Sequence, residues 1–128
     1  MANVKFTGLE FKYTSAQFFK PHEESSGGDY AIHRSGAITA VNASDITFVD
    51  LSLAHIGGNA ISLNNDVRNI SVQRSLFSRI GTSGVSIVGR TGSAFMDARD
   101  GIALLEKYNM DNGVRLPKSI LIEENIFA

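Results

Sequence analysis

The chain has 128 residues, enough for one domain with a real core and too short to expect two. Its 12 basic and 13 acidic residues leave a net charge of −1 without a basic stripe, which argues against a nucleic-acid partner. No apolar run approaches the roughly 18 residues that suggest a membrane span, and the absence of cysteine excludes disulfides and thiolate metal sites.

The opening, MANVKFTGLEF, lacks the charged head and long apolar segment of a signal peptide. Val4, Phe6, Leu9 and Phe11 alternate with polar residues, which predicts two brief strands separated by a corner. An irregular stretch follows, containing FFKPHEESSGGDYAIHR and spanning about residues 14–35. Residues 37–39 are then expected to form another short strand. ITFVDLSL repeats the pattern of the opening, and HIGGNAISLNND adds a glycine turn, an apolar strand and an asparagine corner. ISVQRSLF and RIGTSGVSIVGR write both phrases again. A second irregular stretch occupies about residues 91–117; within it DGIALLEKY has the pattern of a short helix capped by Asp100. ILIEENIF closes the chain with one more copy of the strand pair.

Placing residue 46 over residue 70 aligns the two central phrases without a gap, at a period of 24. Ile46 falls on Ile70, Phe48 on Val72, Leu53 on Phe77, Ile61 on Val85 and Leu63 on Ile87. Three brief strands per period, with the repeat continuing in one direction, predict an all-β fold: a parallel β-helix of about four partial coils stacked at roughly 4.8 Å. One inward column is expected to hold Phe11, Leu53, Phe77 and Phe127, and another Val4, Ile46, Ile70 and Ile120. An antiparallel sandwich is the alternative, but it does not predict an in-register, gap-free repeat.

The two insertions leave the coil at opposite ends of the third strand. The outer face of that third sheet, carrying Ser62, Asn64 and Ser86, is therefore a candidate substrate-binding floor walled by the loops. Glycosidic hydrolysis needs two carboxyl groups, and one from each wall, Asp29 and Asp97, is the first choice. His33 is a candidate acid or base, Arg34 a candidate for binding a sugar carboxylate, and Tyr30 a candidate stacking surface. Each has a plainer reading: His33 and Arg34 tie the loop down, the tyrosine packs beneath it, and Glu23–Glu24 form a solvated run. His55 shares a repeat row with Arg79, which marks a corner position. Asn42-Ala43-Ser44 and Asn69-Ile70-Ser71 match a glycosylation acceptor, with turn formation the simpler reading. No metal-ligand spacing, phosphate loop or nucleophile elbow appears, so no cofactor is expected.

GDYAIHRSGAITAVNASDITFVDLSLAHIGGNAISL followed by NISVQRSLFSRIGTSGVSI resembles the right-handed parallel β-helix proteins of the pectin-lyase-like superfamily. The resemblance covers most of the chain and is nearest to secreted polysaccharide-degrading glycoside hydrolases. It implies right-handed coils, an extracellular setting and a polysaccharide or oligosaccharide partner, with hydrolase, lyase and non-catalytic glycan-binding or structural roles all open. The N-T-D, D-D, G-H-G and R-I-K motifs of polygalacturonases are missing, as is the arginine-proline signature of pectate lyases, so no catalytic residue carries over. Members of that family have many coils and end caps. The apolar residues on the first and last rungs here therefore imply a fragment of a longer β-helix, or self-association through open ends.

Overall fold

A computed structural model describes residues 3–16, 23–24, 31–89 and 117–128, with backbone alone for residues 23–24 and 31–32. The predicted short helix, Tyr30, Asp29 and Asp97 lie outside the described residues, which contain no helix. The elements are all strands. The chain passes through β1 (Val4–Thr7) and β2 (Glu10–Lys12), then a small antiparallel ribbon of β3 (Glu23–Glu24) with β4 (Ala31–Ile32), then β5 (Gly36–Val41). It continues through β6 (Ser44–Val49), β7 (Ser52–Ile56) and β8 (Asn59–Asn64), then β9 (Arg68–Gln73), β10 (Leu76–Ile80) and β11 (Val85–Val88), and finally β12 (Lys118–Glu123) and β13 (Ile126–Phe127).

Every third strand joins the same sheet once the ribbon is set aside. The first sheet runs β1-β6-β9-β12, the second β2-β7-β10-β13, and the third β5-β8-β11, each of them parallel throughout. This is the stacking of a parallel β solenoid. Short alternating runs of β-branched and aromatic residues can bury only one face, and a parallel neighbour one period away offers the same face to share it.

The two expected columns are present. Val4 pairs with Ile46, Ile46 with Ile70, and Ile70 with Ile120. Phe11 pairs with Leu53, Leu53 with Phe77, and Phe77 with Phe127. Ile46, Ile70, Leu53 and Phe77 join Phe48, Ile61, Leu63, Val67 and Val72 in one buried core, with Phe11 and Ile120 packed against it. Rings stack along the columns, Phe6 on Phe48 at 5.5 Å and Phe77 on Phe127 at 4.8 Å between centroids. A row of polar groups also joins neighbouring turns, as Ser75 Oγ accepts the Leu51 N–H and Asn125 Oδ1 accepts the Ser75 N–H.

The third sheet corrects one expectation. The 24-residue period would set residues 37–39 beside 61–63; instead Ile38 pairs with Ile61, Thr39 with Ser62 and Ala40 with Leu63. The connection from β5 to β6 is Asn42-Ala43, one residue shorter than Asn65-Asp66-Val67 between β8 and β9, so the local offset is one less than the 24-residue period. One residue is decisive in a strand because it exchanges the inner and outer faces. Thr39 and Val41 therefore share the outer face, while Ile38 and Ala40 face the core.

The corners follow columns too. Asn3, Asp45, Asn69 and Ser119 all have φ between 52° and 59°. Gly8, Asp50, Arg74 and Glu124 form a second left-handed row, and Tyr13, His55 and Arg79 a third. The expectation that His55 and Arg79 mark a corner matches this geometry. Left-handed backbone costs roughly 1 kcal/mol or more for a residue with a Cβ, and asparagine, aspartate and glycine tolerate it best. At two of the larger residues in that conformation a backbone bond to the adjoining turn holds the chain, Tyr13 N–H donating to the Ala54 carbonyl and Arg79 N–H to the Ala128 carbonyl.

Candidate functional site

β8 is buried along its whole length, although its sequence alternates apolar and polar residues. Ala60, Ile61 and Leu63 belong to the core, whereas Asn59, Ser62 and Asn64 are buried polar groups. The cause is a short strap, residues 33–35, laid across the outer face of the third sheet just before β5 begins. Asn59 Nδ2 donates to the carbonyls of His33 at 2.9 Å and Ser35 at 3.0 Å. Ser62 Oγ donates to the Arg34 carbonyl at 3.1 Å, and Asn64 Nδ2 donates to the same oxygen at 2.6 Å. The strap's backbone carbonyls, which form no sheet ladder here, thus receive their hydrogens from side chains, as buried backbone groups require.

The Arg34 side chain extends the seat toward β11. Its Nη2 donates to the Gly89 carbonyl at 2.8 Å, and its Nη1 lies 3.5 Å from both the Val88 carbonyl and Asn65 Oδ1. His33 Nε2 and Ser35 Oγ are 2.7 Å apart. The other edge of the connection is pinned at a tight point. Thr14 Oγ1 accepts the Gly57 N–H at 2.9 Å, and a Cβ added at Gly57 would fall 2.2 Å from the Ser15 carbonyl oxygen. Only a glycine lets these two backbones approach so closely.

Of the predicted site residues, the fold brings His33, Arg34, Ser62 and Asn64 together and keeps Ser86 beside Ser62 in the sheet. It does so in a different relation from the one expected. Ser62 and Asn64 are 0% and 3% exposed, so the anticipated groove floor is a seat filled by the strap rather than an open surface. Arg34 grips backbone carbonyls of the third sheet, which is the plainer of its two readings. Ser86 is half-buried. The sequence does not single out Asn59, whose amide bonds two strap carbonyls. Its signal was an amide at the mouth of a strand whose partner in β5 is a glycine, Gly36.

No family model, curated protein or solved structure matches this chain.

Outside the seat, polar side chains run along the corners. Tyr13, three-quarters exposed, stacks on His55 at 5.0 Å. Asn42 Oδ1 accepts the Asp66 N–H at a corner, whereas Asn69, at a left-handed position within β9, donates from Nδ2 to Asp45 Oδ1 in β6 at 3.0 Å. Arg74 Nε donates to Asp50 Oδ1 at 3.1 Å, and this pairing raises the Arg74 guanidinium above its ordinary value. Among the described residues no group of three metal-ligating side chains gathers.

Asp45 is held below the ordinary carboxylate range, first by the Asn69 hydrogen bond and then by one from Ser44. A depressed carboxylate stabilises the fold above its unfolded-state value, and that contribution disappears as the pH falls through the folded one. Asn69→Ala is expected to move the Asp45 titration upward and to lessen this acid-side loss. Carboxyl-detected NMR titration of both proteins measures it, and an unmoved Asp45 midpoint would contradict the assignment.

Proposed function

We propose that the chain is a segment of a carbohydrate-active, right-handed parallel β-helix of the pectin-lyase-like kind, from a polysaccharide-degrading glycoside hydrolase or lyase. The observation that carries this reading is the in-register stack of three parallel sheets, interrupted only between β2 and β5 and between β11 and β12. Those interruptions flank opposite ends of the third sheet, an arrangement suited to walls around an elongated polymer. Right-handed winding follows from the strong chirality preference of parallel β connections.

In this reading the third sheet, sealed by its strap, is a rigid platform. Asp29 and Asp97 supply the carboxyl pair, with His33 as acid or base and Tyr30 toward the glycan, while Arg34 anchors the strap. A second reading is favoured by the closed seat over Ser62 and Asn64: a non-catalytic module that binds glycan through its loops or serves as a spacer.

Incubation with a panel of plant and algal polysaccharides, read by reducing-end release and by absorbance of unsaturated products, separates the possibilities. Hydrolysis or elimination that falls about a hundredfold or more in Asp29→Asn or Asp97→Asn supports the enzyme with that pair. Turnover indifferent to both substitutions rejects the pair. Retention on a glycan without turnover selects the binding module, and neither binding nor turnover removes the carbohydrate assignment.

A further inference from the structure

The strap over the third sheet has all three of its carbonyls held by β8. Asn59 Nδ2 donates to the carbonyls of His33 and Ser35 at 2.9 and 3.0 Å, and Ser62 and Asn64 both donate to the carbonyl of Arg34. The turn that follows is closed by Thr39, whose Oγ1 accepts the Gly36 N–H at 3.0 Å. The backbone on both sides of Ser35 is thereby fixed. On this platform the first and third side chains of the strap meet, His33 Nε2 lying 2.7 Å from Ser35 Oγ. The Arg34 guanidinium between them in sequence is engaged elsewhere, on the Gly89 carbonyl.

We propose that Ser35 and His33 form a nucleophile–base pair that hydrolyses carboxylic esters. A serine hydroxyl is a weak nucleophile until a base within hydrogen-bond reach takes its proton, and 2.7 Å is within that reach. In the tautomer that carries its proton on Nδ1, His33 Nε2 is the acceptor and the Ser35 hydroxyl the donor. This contact joins two residues of the strap to each other, not the strap to the sheet. It is therefore separate from the seat that Asn59, Ser62 and Asn64 make. The seat holds the two backbones, and the pair inherits their fixed geometry, as a reactive pair requires. Both residues are half-buried, which leaves them an approach from solvent.

Ser35 Oγ attacks the acyl carbon as its proton passes to His33 Nε2. The bond from that carbon to the alcohol oxygen breaks, and the alcohol departs with the proton from His33. Water then adds to the acyl-serine and gives a proton to Nε2. The bond to Oγ breaks, Ser35 recovers the proton, and a carboxylic acid leaves. The Ser35 N–H has no hydrogen-bond partner among the described residues and is a donor for the negative oxygen that forms on the acyl group. An amine is a much poorer leaving group than an alcohol, so the substrate class is esters and not amides. The proposal needs neither Asp29 nor Asp97 and does not rest on cleavage of a glycosidic bond.

A fluorophosphonate probe and p-nitrophenyl acetate test it on the full chain. The wild-type chain is expected to be phosphonylated at Ser35, located by peptide mass spectrometry, and to release nitrophenolate from the ester. Ser35→Ala is expected to abolish the labelling and to lower hydrolysis about a hundredfold or more, and His33→Gln to slow both by a similar factor, as loss of a positioned base does. Far-UV circular dichroism and amide exchange at residues 33–36 establish that the variants keep the strap. Should Ser35→Ala disturb it, Ser35→Cys gives a second reading, because the chain has no cysteine of its own. The new thiol is expected to react with iodoacetamide about tenfold or more faster than the same thiol in Ser35→Cys/His33→Gln, since a neighbouring imidazole draws off its proton. An unlabelled wild-type chain, a label on any other serine, hydrolysis indifferent to Ser35→Ala, or equal alkylation with and without His33 overturns the proposal. None of these readouts contains a glycan, so their failure is distinct from failure of the carbohydrate reading.

Discussion

Phe77→Ala is expected to lower the free energy of unfolding by about 3–5 kcal/mol. The Phe77 ring is 1% exposed, pairs with Leu53 in β7, and stacks on Phe127 at 4.8 Å. Its removal opens a cavity in the middle of a column, where strands above and below are tied by backbone hydrogen bonds and cannot close the gap. A stability of 5–15 kcal/mol is usual for a domain, so such a loss is a large share of the total. Phe127→Ala supplies the comparison. Among the described residues that ring stacks on Phe77 alone, and it is 57% exposed, so its loss should cost well under half as much. Urea unfolding with both variants measures the difference as a shift of midpoint at unchanged slope. Equal costs at the two positions would show that Phe77 is not enclosed between turns.

Asn59→Ala is expected to cost about 2–4 kcal/mol, the sum of several hydrogen bonds worth roughly 0.5–1.5 kcal/mol each. One side chain donates to the His33 and Ser35 carbonyls and accepts the Thr82 hydroxyl at 2.7 Å, and it is 4% exposed. Alanine leaves two strap carbonyls without these donors, while the Ser62 and Asn64 bonds to Arg34 remain. The consequence should be concentrated at the strap: faster amide hydrogen exchange at residues 33–36, with little change along β9 and β10. Thr82→Ala isolates the exposed arm of the network and should cost under about 1 kcal/mol. If Asn59→Ala matches Thr82→Ala in stability and leaves exchange at the strap unaltered, the strap is not held by this amide.

The contrast between those two residues also separates what could be read early from what could not. Phe77 was placed by periodicity, since a one-dimensional repeat reports its own neighbours: a side chain one period away is the side chain directly above. Val4 on Ile46 and Phe11 on Leu53 were accessible in the same way despite the insertion between β2 and β5, because the strand pair on each side kept its internal spacing. The slip of the third sheet was harder. One residue, the additional corner position between Asn65 and Val67, moved Ile38 onto the Ile61 row, and a gap of that size is invisible where alternation alone sets the frame.

Composition, alternation and the repeat determined by themselves that this chain is built of short parallel strands with columns of like residues inside. Those signals are local or strictly periodic, and burying an apolar row against its own copy satisfies them. Only the tertiary structure decided that the outer face of β8 is closed. Ser62 and Asn64 look like exposed polar residues in sequence, and they become buried because the carbonyls of residues 33–35, distant along the chain, need donors where no sheet partner exists. Hydrogen-bond demand of that kind arises only between segments already brought together, so the alternation of β8 could not record it.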